Sequence, residues 1–164
     1  WTSVCRAWVV VSLAPVILMV LLNHCGNESS MNDLQRVNHS LEQLANIGVD
    51  ITPAVYARFF AACPPAESLF GTAEARAVQG KMVNELVQTI LDRLGEKPYS
   101  PVVVETMVSD HDSWGATLPM YDAFLAAFVD TLEETLGEEA SPATMTVWRR
   151  ELASLREQIA GNLA

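Results

Sequence analysis

Basic residues are scarce. Ten Lys and Arg stand against twenty Asp and Glu, a formal net charge of −10 over 164 residues. A surface of that sign repels phosphate backbones and argues against nucleic acid as a partner. Cysteine is nearly absent: Cys5, Cys25 and Cys63 are the only three, and one of them lies beyond residue 30. A lone Cys63 can form no intradomain disulfide and no multi-cysteine metal site; a reducing compartment fits. Gly and Pro number eight each while half the chain is apolar, which excludes disorder and low complexity. After residue 30 there is no alternating run of strand type, no internal repeat and no Gly-rich nucleotide fingerprint.

One long apolar run is present. Residues 7–22 are broken only by Ser12 and Pro15, and Arg6 precedes them. A membrane span needs about 20 apolar residues, with a lower limit of about 17. The following Asn23-His24-Cys25-Gly26 is neither a good signal-peptide cleavage site nor a basic stop-transfer flank. Three readings stay open. Residues 1–30 are upstream sequence with Met31 as the start, or a membrane anchor, or a signal peptide. The first implies a cytoplasmic protein and the second a membrane-anchored one. On any of them, residues 31–164 are the folded domain.

That stretch reads as helix almost throughout. Leu34, Val37, Leu41, Leu44 and Ile47 recur at spacings of three and four, one buried face of a helix that Gly48 stops. Thr52-Pro53, Ser100-Pro101 and Ser141-Pro142 each pair an N-cap residue with Pro at the first helical position. Helices are predicted at 32–47, 53–62, 64–69, 73–94, 101–111, 118–136 and 142–162, joined by short connections. The fold class is all-α.

His111 carries the most chemical weight. It shares an apolar face with Val104 and Met107 near the end of its helix. By itself it is either a core histidine satisfied by a backbone carbonyl or an axial ligand to a metal or haem. No His-x-x-x-His pair or carboxylate cluster offers a conventional metal site, and a lone histidine is what haem requires, since the porphyrin supplies four ligands. The flanking Asp110 and Asp112 point about 100° away on a helix, so the expected acceptor of its free N–H is a carbonyl of its own helix.

The surrounding pattern resembles the globin family. Tyr56-x-x-x-Phe60-x-x-x-Pro64 followed by Leu69-Phe70 is similar to a globin's second and third helices and the corner after them. His111-x-x-Trp114-Gly115, with Tyr121 ten residues past the histidine, resembles the proximal histidine, its corner and the next helix. Leu132, Leu136-Gly137 and Trp148 extend the match, which runs from near Leu34 to Ile159 and is nearest to bacterial single-domain globins and the haem domain of flavohaemoglobins.

The resemblance implies a globin fold of about six to eight helices around haem (heme b, iron protoporphyrin IX), with His111 as the iron ligand. Phe70 would pack on the porphyrin, and Tyr56 would donate a hydrogen bond to a polar diatomic ligand. Trp114 and Tyr121 would lie on the proximal side. On the distal helix two registers compete. Counting from Phe70 puts Val78 over the iron and buries Val78, Met82, Val83, Leu86 and Ile90. A shift by one puts Gln79 there and turns Asn84 inward. Lys81 would lie near the haem edge, paired with a propionate or simply solvated. The implied function is reversible binding of dioxygen, nitric oxide or carbon monoxide. Turnover as a nitric oxide dioxygenase would need a separate reductase. The other classes are a haem-based gas sensor and a globin-fold interaction protein without haem.

Overall fold

The computed structural model describes residues 31–95 and 101–163. Among these residues the regular elements are all helical. In chain order they are α1 (Asp33–Ile47), α2 (Thr52–Ala62), α3 (Pro64–Glu67), a 3-10 turn (Ser68–Phe70), α4 (Ala73–Ala77), α5 (Gln79–Leu94), α6 (Pro101–Ser113), α7 (Leu118–Leu136), a second 3-10 turn (Gly137–Glu139) and α8 (Pro142–Asn162). The all-α expectation holds, and α7 and α8 have the predicted limits.

Local chemistry explains most of the boundaries. Asn32 opens α1 with a capping box: its side chain accepts from the Gln35 N–H at 2.9 Å, and Gln35 Oε1 accepts from the Asn32 N–H at 2.8 Å. Gly48 closes α1 in the left-handed region at φ 72° and donates back to Leu44 and Ala45. Ser141 caps α8 by accepting from the Thr144 N–H at 3.2 Å, with Pro142 in the first turn as predicted. Thr52 differs. It lies inside α2, and the Asp50 carboxylate, at 2.9 Å, accepts its backbone N–H. The predicted cap Ser100 lies outside the described residues.

The helix predicted over 73–94 is divided in two. Thr72 starts α4 by accepting from the Ala75 N–H, and the segment ends at Ala77. Val78 separates it from α5 and is 42 % exposed. The apolar stripe read from Val78 therefore begins further along. Val83, Leu86, Val87 and Ile90 are buried, and Met82 is half-buried.

The core lies where α1, α7 and α8 meet. Trp148 of α8 is fully buried, its ring 5.5 Å from that of Phe128 on α7. Its indole N–H donates to Ser40 Oγ of α1 at 3.0 Å, and Ser40 donates in turn to Val37 O at 2.7 Å. The one polar atom of the largest core side chain is thus satisfied. Around this junction α7 packs on α1, α2 and α8, α5 packs on α1, α2 and α8, and α6 packs on α8. Among the described residues α5 and α6 share no extensive contact. Both face the rest of the bundle without closing on each other, and this separation positions the site.

Candidate functional site

Two clusters of side chains form, one on each side of the start of α7. The first centres on Tyr56. Position 56 falls on the face of α2 that also buries Val55 and Phe59 against the core. Its ring meets those of Phe70 at 5.2 Å, Phe60 at 5.5 Å, Phe124 at 5.7 Å and Phe59 at 6.0 Å. Edge-on contacts with Phe59, Phe60 and Phe70 hold the ring firmly. The Tyr56 hydroxyl donates to Met82 Sδ on α5 at 3.3 Å. Burial pushes this phenol well above the usual tyrosine range, so it is a neutral donor at physiological pH.

The second cluster centres on His111. Its Nδ1 lies 2.8 Å from Met107 O, the i−4 carbonyl of its own helix. A carbonyl only accepts, so Nδ1 carries the proton. In the neutral ring Nε2 then keeps its lone pair, the form in which imidazole binds a metal. The expected acceptor, a carbonyl of the same helix rather than Asp110 or Asp112, is the one found. Trp114 lies 5.5 Å from the imidazole and Tyr121 6.0 Å from it, measured between rings. Trp114 is 67 % exposed. Burial, and then the charge of Asp112, push the Tyr121 phenol up to about 12. The Tyr121 hydroxyl is buried and has no hydrogen-bond partner among the described residues.

The α7 helix joins the clusters. Tyr121 and Phe124 lie one turn apart on one face, the first against His111 and the second against Tyr56. Phe124 is a site residue that sequence reasoning missed. Its signal was the i+3 spacing from Tyr121, which puts the two rings on one stripe.

Of the residues singled out in the sequence, Tyr56, Phe70 and Met82 come together, as do His111, Trp114 and Tyr121. Val78 and Lys81 join neither group. Val78 is an exposed break between helices, and Lys81 is exposed and pairs with Glu85 at 3.4 Å. Gln79 is the half-buried first residue of α5. The stripe of the Val78 register is corrected at its first member, since Val78 is exposed, while Met82 of the same stripe turns inward and meets Tyr56. Asn84, which the Gln79 register turned inward, does hold a buried side-chain oxygen without a partner among the described residues.

These residues fit a flat, apolar, iron-bearing cofactor. The donor set is a single imidazole with a free Nε2. Among the described residues no three His, Cys, Asp or Glu gather to complete a protein-only metal site. Apolar side chains that a closed core would cover fully are only partly buried here: Phe60, Phe70, Met107, Leu118, Tyr121 and Phe124. The unpartnered Tyr121 hydroxyl beside His111 leaves a donor for a bound group. Among the described residues no helix is long and apolar enough to cross a membrane.

Comparison with known proteins gives one family match. A family model described as Globin matches residues 53–159, a span that runs from the start of α2 almost to the end of α8. No curated protein matches the chain.

Proposed function

Because the chain belongs to the globin family, we propose that it holds haem b through His111 and binds a diatomic gas, dioxygen first. The observation that carries this reading is the His111 bond to Met107 O, which fixes the ring and leaves Nε2 free. When bound, ferrous haem supplies an iron centre that takes up a small gas reversibly.

The chain's own residues divide the work. Met107 O accepts the Nδ1 proton and orients the imidazole with Nε2 outward. Phe60, Phe70 and Phe124 supply aromatic surface that excludes water and gives a porphyrin apolar contact. Tyr56 presents the donor. Its hydroxyl is neutral and held in place by the surrounding rings, and it can hydrogen-bond a ligand that carries partial negative charge. A donor already placed in an apolar setting pays little reorganisation when the ligand arrives. Dioxygen acquires more negative charge in such a site than carbon monoxide does, so Tyr56 favours dioxygen between the two.

The test is the visible spectrum of the full chain with hemin, oxidised, reduced and reduced under carbon monoxide. The expected result is a sharp Soret band that shifts with carbon monoxide and is lost in His111→Ala. Tyr56→Phe should keep the band and release dioxygen faster, by about five-fold to thirty-fold if one hydrogen bond of about 1–2 kcal/mol is removed. A chain that ignores hemin, or a His111→Ala variant that binds it as well as the parent, overturns the reading. Nitric oxide and carbon monoxide are the other ligands to compare in the same series.

A further inference from the structure

We propose that Met82 sets the ligand affinity of the site through Tyr56, acting as a positioning residue whose thioether holds the phenol hydroxyl and yields it to a better acceptor. This rests on the haem reading above and adds to it a determinant of ligand strength.

Three observations carry it. The Tyr56 ring is buried and fenced by four aromatic rings, so its hydroxyl has little freedom to seek another partner. The acceptor it does find is Met82 Sδ at 3.3 Å. A thioether sulfur is a weak acceptor, so a buried phenol that donates to it is only partly satisfied. Met82 is half-buried and lies one turn before Leu86 on the inward side of α5, so the sulfur reaches the phenol from the helix that faces Tyr56.

The consequence is a competition. A polar diatomic ligand must take the Tyr56 hydroxyl away from the sulfur, and the bond to sulfur is lost as the bond to the ligand forms. The ligand gains the difference between the two bonds, not the whole of one. Because the sulfur is weak, the cost of exchange is small, and the phenol stays aimed while it waits. A side chain of similar volume without an acceptor removes the competition. An amide replaces it with a stronger one. A protein with Met82 therefore binds less tightly than one with Leu at this position, and more tightly than one with Gln.

The experiment is a double-mutant cycle on the haem-loaded full chain, with Met82→Leu, Tyr56→Phe and the pair, read by dioxygen dissociation rates. Met82→Leu should slow dissociation about three-fold to ten-fold, and should do nothing once Tyr56 is Phe. Met82→Gln should speed it in the parent. A second readout needs no haem. A phenol that donates a hydrogen bond absorbs at longer wavelength, so the near-ultraviolet tyrosine band of haem-free Met82→Leu should shift to the blue. That shift should vanish in the Tyr56→Phe background. Additive rates in the cycle overturn the proposal while leaving haem binding intact. An unshifted tyrosine band overturns it as well. A parent that takes up no hemin overturns this assignment and the haem reading together, and the haem-free spectrum then still reports whether the bond between Tyr56 and Met82 exists.

Discussion

Trp148 places its indole N–H in the middle of the bundle, and Ser40 is what makes that affordable. The serine lies within the apolar stripe of α1, between Val37 and Leu41, and is fully buried. In the sequence Ser40 reads as a polar neighbour of that stripe, because its partner is 108 positions away and becomes visible only when α1 and α8 meet. Ser40→Ala removes the acceptor and leaves a buried indole N–H unsatisfied. The expected cost is about 1–3 kcal/mol of folding stability. Urea unfolding of the haem-free protein reads it directly. In the Trp148→Phe background the same change should cost markedly less, since no N–H is stranded. Equal costs in both backgrounds would mean that the bond contributes nothing. His111 was the opposite kind of residue. Its place on the Val104 and Met107 face, its lack of histidine or cysteine companions and the carbonyl four residues earlier were all open to reading from the chain.

Among the elements, those set by their own ends were the most legible. Gly48, Ser141 and Gly137 act on backbone groups within a few residues, so their effect follows from local sequence alone, whereas Asn32, predicted as the first helical residue, is the cap. Thr52 misled because the Asp50 carboxylate accepts the Thr52 backbone N–H, so Thr52 is the first helical residue and not the cap. The Val78 break was hidden for a different reason. Residues 73–94 keep helical periodicity throughout, so the break at Val78 leaves no mark in the pattern. The stripe counted from Phe70 therefore began one turn too early, at the exposed Val78, while its later members from Met82 onward turn inward. The corner after α6 is a cleaner case. Gly115 has φ 83°, and the His111 carbonyl accepts from both the Trp114 and Ala116 N–H groups. A Cβ added at Gly115 would meet nothing within 4 Å, so only the backbone conformation resists substitution. Gly115→Ala is expected to cost about 1–2 kcal/mol, measured by urea or thermal unfolding. Because the strained turn is fastened to the histidine's own carbonyl, hemin affinity should also fall, though far less than in His111→Ala. A variant as stable as the parent would show that the corner adopts another conformation.

For the whole molecule, α7 is the element that makes one site out of two clusters, and its phenol and that of α2 should govern how the protein fails in alkali. Burial pushes Tyr56 well above the ordinary range and pushes Tyr121 up to about 12, Asp112 adding to the second. In the unfolded chain both ionise near about 10. Below that pH neither state gives up the proton, and these tyrosines leave the folding balance unchanged. Above it the unfolded chain releases protons that the folded chain retains. Folding stability then falls as pH climbs from about 10 through the folded-state values. The loss from Tyr121 is complete near about 12, whereas Tyr56 continues to draw stability down beyond it. Urea midpoints of the haem-free protein, taken from pH 9 to pH 12, should hold level and then decline. Tyr121→Phe and Tyr56→Phe should each make that decline shallower, the second by more because its burial is deeper. Lysine neutralisation and rising negative charge act in the same pH range, but they act equally on parent and variants and cancel in the difference. If the three proteins fall in parallel, the two phenols are open to water in the folded state. Both would then ionise near about 10 in the folded protein too, and Tyr56 could not be the buried, fixed donor on which ligand binding is argued to depend.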